Sequence, residues 1–203
     1  MSRSIVFILG AGASREGGAP LMDDFLEIAQ DVLNRDAART PDAFRIVLEA
    51  RSYLQRVHSK SELDIHNVEA VFAAFEMAQT LGRFGDYTKA QLDDLSMAMK
   101  TVIVETLERQ MLFPTVDGKI EAPPPYDKFV ELLSDLLRGG DVEITVLSFN
   151  YDIAIDHALF SSGRFHADYG FGEARRRRRQ MPLLKLHGSL NWDSCEVCGV
   201  LPW

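Results

Sequence analysis

The stretch Ile5-Val6-Phe7-Ile8-Leu9-Gly10-Ala11-Gly12-Ala13-Ser14-Arg15 decides the fold. An unbroken run of β-branched, aromatic and aliphatic residues that stops at a glycine reads as a strand buried on both faces, the habit of strands in a parallel sheet. The glycines then let the chain bend sharply and let a ligand come close to the backbone. Beyond Gly17, Gly18, Ala19 and Pro20, apolar residues at Leu21, Phe25, Ile28, Ala29, Val32 and Leu33 recur at helical spacing, with Asp23 and Asp24 in the favourable first turn. Strand, glycine loop and helix in that order predict an α/β fold, a Rossmann-like parallel sheet flanked by helices. The loop reads either as a phosphate cradle, with the unpaired amides of a helix start behind it, or as a tight turn. Arg15 stands where the dinucleotide fingerprint needs its third glycine, and no Gly-Lys-Ser/Thr follows as in a phosphate loop.

Working outward, residues 41–112 repeat apolar positions every three or four residues, as at Phe44, Val47, Leu48 and Val68, Val71, Phe72, Phe75. Breaks near 59–64 and 82–86 divide this stretch into three or four helices. The expected organisation is one domain over 1–203 with a helical insert at about 35–125. A proline-rich turn at 121–125 precedes an amphipathic helix through Phe129, Leu132, Leu133, Leu136 and Leu137 that closes at Gly139-Gly140. A strand is predicted at 143–148, a short helix at 153–160 and a last strand at 183–186, ending at His187-Gly188. Polar residues therefore gather at strand C-termini, the edge where open parallel sheets bind ligands.

Composition narrows the function classes. A net charge of −8 has the wrong sign for a basic nucleic-acid face, so nucleic acid is not an expected partner. No run approaches the ~20 apolar residues of a membrane span, and the apolar start is too short for a signal-peptide core. Two cysteines spaced Cys195-x-x-Cys198 make no disulfide framework, which suits a reducing cytoplasm.

Several residue groups carry chemistry, each with a plainer alternative. Asn150 and Asp152, in Phe149-Asn150-Tyr151-Asp152, emerge from a buried strand and would hold ribose hydroxyls or a carboxamide, or cap the next helix. His187, with Gly188 beside it, would serve as a general base near neutral pH or as a structural histidine. Cys195 and Cys198 form half of a zinc knuckle or a pair of free thiols, because structural zinc takes four ligands. His157 and His166 would complete such a site only by a coincidence of folding. The run Arg175–Arg179 would meet phosphate or an acidic partner, or form a solvated loop. His66, Asn67 and Glu69 would line a pocket or face solvent on a helix.

In order and spacing, Gly10-Ala11-Gly12-Ala13-Ser14, Gly18-Ala19-Pro20, Phe149-Asn150-Tyr151-Asp152, Lys185-Leu186-His187-Gly188-Ser189 and Cys195-x-x-Cys198 resemble the signature series of the sirtuin family. The match is closer to the sirtuin-like NAD hydrolases of bacterial antiphage defence. The resemblance implies NAD as substrate, lying across the sheet edge and cleaved at the nicotinamide-ribose bond to nicotinamide and ADP-ribose. It places Gly10, Ala11, Gly12, Ala13, Ser14, Pro20, Asn150, Asp152, Gly188 and Ser189 around NAD, with His187, Asn150 and Asp152 catalytic. Asn150 would orient the ribose and the attacking water, Asp152 would hold the nicotinamide side, and His187 would take a proton. It further implies an abortive-infection role with activity governed by homo-oligomerisation or a regulatory partner chain. Family deacylases carry an arginine-bearing segment where this chain has Leu21-Met22-Asp23, and a second cysteine pair. The alternatives are a protein deacylase or ADP-ribosyltransferase, or a sensor that binds NAD or ADP-ribose without turnover.

Overall fold

The computed structural model describes residues 3–57, 63–171, 179–195 and 199–202, the last group and residues 57, 194 and 195 by backbone only. In chain order the elements are β1 (Arg3–Leu9), a 3-10 helix (Ala11–Gly17), α1 (Phe25–Asn34), α2 (Pro41–Val57), α3 (Val68–Leu81), α4 (Lys89–Gln110) and the short strands β2 (Thr115–Val116) and β3 (Lys119–Ile120). Then follow α5 (Tyr126–Arg138), β4 (Val142–Ser148), α6 (Ala154–Ser161), β5 (His166–Asp168), β6 (Gln180–Lys185), β7 (Trp192–Cys195) and β8 (Gly199–Pro202). The chain divides into two compact units, Met1–Ala19 with Met111–Trp203, and Pro20–Gln110.

The first unit is built on a four-stranded parallel sheet of order β1-β4-β6-β5. Its register is set by apolar residues on one face, where Phe7 pairs with Val146 and Val146 with Leu183. A slip of one residue would turn every one of these side chains to the other face. Ile144, Val146, Met181 and Leu183 pack there against Tyr126, Val130 and Leu133 of α5 and Ile155, Ala158 and Leu159 of α6. Each fully buried leucine in this layer contributes about 1.5–3 kcal/mol.

The other face corrects the expectation that the first strand is buried on both sides. Val6 and Ile8 are 57% and 67% exposed, and Leu184 and Leu186 on β6 and just beyond it are exposed as well. The reason lies in the connections. The crossovers from β1 to β4 and from β4 to β5 both step toward the β5 edge, and right-handed crossovers that step the same way lay their helices on the same face.

The first helix also begins later than its apolar spacing predicts, at Phe25 and not Leu21, and the glycine loop enters a 3-10 helix first. Asp24 stops the α-helix from extending back, since its Oδ1 accepts the Leu21 amide at 2.6 Å in a local turn.

The second unit is the four helices α1 to α4. Three of them fall where the 41–112 pattern predicts them, and α1 joins them in the same unit, which ends at Gln110. Spacing explains the packing: Val68, Val71, Phe75 and Ala78 form the buried stripe of α3, and Leu92, Leu95, Met99 and Val102 that of α4. Asn67 caps α3, its Oδ1 accepting the Glu69 and Ala70 amides at 2.9 and 3.1 Å. No helix among the described residues is long and apolar enough to cross a membrane.

Candidate functional site

Parallel register brings the strand ends of the first unit level: Leu9 lies opposite Ser148, and Ser148 opposite Lys185. The ladder continues one residue past the strands, with the Phe149 amide on the Leu9 carbonyl at 3.0 Å and the Leu186 amide on the Ser148 carbonyl at 2.9 Å. Gly10, Asn150 and His187 therefore leave neighbouring strands at one edge.

Asn150 bonds directly to the glycine loop. Its Nδ2 donates to the Gly10 carbonyl at 2.9 Å and to Ser14 Oγ at 3.0 Å. Ser14 Oγ donates to Asp152 Oδ2 at 2.6 Å and lies 2.8 Å from the Tyr126 hydroxyl. Proton counting fixes every direction. A serine has one proton, and the carboxylate takes it, so Tyr126 must donate to Ser14. The Gly10 carbonyl only accepts, so the Asn150 nitrogen must face it and the amide oxygen is left outside this cluster. All four side chains are buried, Ser14 completely. Burial and then the neighbouring Asp152 push the Tyr126 phenol above its ordinary value, which keeps the donor protonated.

A second buried network supports the first. Lys185, fully buried on β6, donates from Nζ to the Asp152 carbonyl, to Asp156 Oδ2 at 2.9 Å and to Ser189 Oγ, so all three ammonium protons are engaged. Tyr169 donates to Asp156 Oδ1 at 2.6 Å and accepts from Asn191 Nδ2 at 3.1 Å. Burial and then Asp156 raise the Tyr169 phenol. Asp152 Oδ1 accepts the Ala154 amide at 2.9 Å at the start of α6. The loop after β6 turns at Gly188, whose φ of +87° favours glycine, and the Leu190 amide reaches the Tyr151 carbonyl at 2.9 Å. His187 is exposed, with Phe149 edge-on at 5.3 Å and Tyr151 tilted at 5.8 Å.

The structure thus gathers Gly10, Ser14, Asn150 and Asp152 into one bonded cluster and brings Gly188 and Ser189 to the same edge beside His187. Ala11, Gly12 and Ala13 lie in the 3-10 helix, and a Cβ built on Gly10 or Gly12 would meet nothing within 4 Å. Pro20 is the first residue of the second unit. Asp152 matches its plainer reading at the start of α6, where it accepts the Ala154 amide, and its other oxygen holds Ser14, a partner that neither reading named. Tyr126, Asp156 and Tyr169 belong to these two networks, and sequence reading singled out none of them. The signal for Asp156 was available: Lys185 interrupts an apolar strand and demands a buried anion.

Of the other groups, Cys198 and residues 175–178 lie outside the described residues, and Cys195 is placed by backbone only, on β7. Arg179 Nη1 reaches the Gly163 carbonyl at 3.2 Å. His157 Nε2 lies 3.0 Å from the Ile120 carbonyl, and His66 Nδ1 lies 3.1 Å from Arg51 Nη2. Among the described residues no three His, Cys, Asp or Glu side chains gather as a metal site requires. No protein-family model and no curated protein matches this chain.

Proposed function

We propose that the first unit cleaves NAD at its nicotinamide-ribose bond, giving nicotinamide and ADP-ribose. The observation that carries this reading is the bonding of Asn150 to both Gly10 and Ser14, which ties the glycine loop to the Asn-Tyr-Asp loop beside the His187 turn. Open space around Gly10 and Gly12 suits the close approach of a diphosphate to the backbone. With its nitrogen facing inward, Asn150 offers its oxygen as a preset acceptor for a ribose hydroxyl or the attacking water. Nicotinamide departs as positive charge develops on the ribose, and His187 takes the proton released by the nucleophile, a role worth ~10²- to 10⁴-fold. The rings of Phe149 and Tyr151 beside His187 fix the side from which a ligand approaches its imidazole. Asp152, whose two oxygens accept from Ser14 and Ala154, acts through the loop as a positioning residue.

Purified His187→Ala and Asn150→Ala proteins are expected to release nicotinamide from NAD at least ~10²-fold more slowly than the parent. Release at the parental rate by either would refute the assignment. Product analysis separates the chemical alternatives. Free ADP-ribose without added peptide supports hydrolysis, acyl-ADP-ribose supports deacylation, and ADP-ribosylated protein supports transfer. Nucleotide binding with no turnover supports a sensor. The antiphage role, with oligomerisation or a partner chain as its control, rests on the sirtuin resemblance. It requires that expression deplete cellular NAD in a His187-dependent way.

A further inference from the structure

The helical unit has a groove of its own, about 600 Å³, between α1, α2 and the segment ahead of α4. Along α2 the lining residues Arg45, Leu48, Glu49, Ser52, Tyr53 and Arg56 follow the three-and-four spacing of a single stripe. Leu33 of α1 and the buried Leu48 supply apolar surface, and Tyr87 supplies a second ring.

The aromatic wall is built, not incidental. The Tyr53 ring packs against Phe84 at 5.1 Å and Tyr87 at 5.9 Å, and Phe84 packs edge-on to Tyr87 at 4.9 Å. Gly85, with φ of +55°, makes this possible, because a Cβ there would fall 1.8 Å from the Tyr53 hydroxyl. Most polar neighbours are already matched: Arg45 pairs with Asp42 at 2.6 Å, Ser52 donates to the Leu48 carbonyl at 2.9 Å, and Gln30 donates to Asn34 at 3.0 Å.

Two groups are not matched. Among the described residues Arg56 forms no ion pair with a carboxylate; its guanidinium carbon lies 5.9 Å from the Tyr53 ring centre, and its charge also acts on the Tyr87 phenol. Glu49 meets no cation there. They stand two turns apart on the same stripe, roughly 10 Å along the axis, too far to pair with each other. A free planar cation, a fixed pair of rings and a free carboxylate in one groove define a ligand with an anion, a flat ring and hydrogen-bond donors.

We infer that this groove binds a nucleoside phosphate, with the phosphate on the Arg56 fork, the base against Tyr53 and Tyr87, and a sugar hydroxyl or base amine on Glu49. The inference does not depend on the NAD reading, since every residue it uses lies in the second unit.

Calorimetric titration of the full chain with adenosine 5′-monophosphate tests it. Saturable binding is expected, weakened at least tenfold by Arg56→Ala and also weakened by Glu49→Gln. Both positions are exposed, so these variants keep the parental circular dichroism. The loss in Arg56→Ala should recur in an Asn150→Ala background, which separates the groove from the strand-end site. Inorganic phosphate alone and adenosine alone should each bind at least tenfold more weakly than the nucleotide. Absence of binding, or binding indifferent to Arg56→Ala, overturns the inference. So does Arg56-dependent capture of a glutamate-rich peptide by a protein that ignores the nucleotide.

Discussion

Asn150 has one orientation that its neighbours permit, and a hydroxyl 2.8 Å from Ser14 helps to hold it there. The two buried networks differ in what their loss exposes. Tyr126→Phe removes one neutral donor from Ser14, which keeps Asn150 as the other, so the expected cost is about 1 kcal/mol. Lys185→Met leaves the buried Asp156 carboxylate without its cation and three acceptors without a donor, for which about 3–5 kcal/mol is expected. Urea denaturation of the two variants reads the order directly, and a Tyr126→Phe cost equal to or above that of Lys185→Met would contradict the proton assignment. At this scale the meeting of Asn150 and Asp152 with the glycine loop, and the place of His187 at the same edge, were legible from motif order, because each follows a strand. Tyr126 was not legible. It sits 112 residues from its partner in a proline-rich stretch, where nothing local marks a tyrosine as a donor.

Among elements, α2 and α4 are joined through a carboxylate. Glu105 on α4 is buried and accepts from the Arg39 and Thr40 amides just before α2, from the Thr40 hydroxyl at 2.7 Å and from Arg109 Nε at 2.9 Å. Burial alone would raise its carboxyl, but the Arg39, Thr40 and Arg109 donors outweigh burial and bring it down to about 2 from the ordinary 4.5. A depressed carboxyl contributes stability above its unfolded value and loses that contribution as pH falls toward its folded value. Glu105 should therefore add roughly 1–2 kcal/mol at neutral pH, after allowance for solvent screening, and lose it between about pH 4.5 and pH 2. Thermal melts across that window should show a steeper decline for the parent than for Glu105→Gln. Parallel slopes would remove Glu105 from the account. Long helices were legible because three- and four-residue spacing sustained over several turns has one physical solution. The two-residue strands β2 and β3 and the three-residue β5 were not, since so few residues establish no alternation.

For the molecule as a whole, strand-loop-helix order made the α/β class and the parallel sheet readable from residues 5–33. The grouping of α1 with α2, α3 and α4 was not readable, because it depends on which apolar stripes meet, and a stripe does not name its partner. The exposure of Val6 and Ile8 was hidden for a related reason: Ile5 to Leu9 is apolar on both faces, whether or not a second layer arrives.

Those exposed side chains bear on colloidal behaviour. Val6, Ile8, Leu184 and Leu186 present an apolar surface to water, while a net charge of −8 keeps molecules apart. Acidification toward the carboxylate range erases the repulsion and leaves the surface unchanged. Light scattering should then rise with protein concentration and salt before any loss of helical signal, and Ile8→Lys should delay the rise. Scattering that tracked unfolding alone would mean the face plays no part. For this chain the limit on solubility would then be set by apolar side chains on the sheet face opposite α5 and α6.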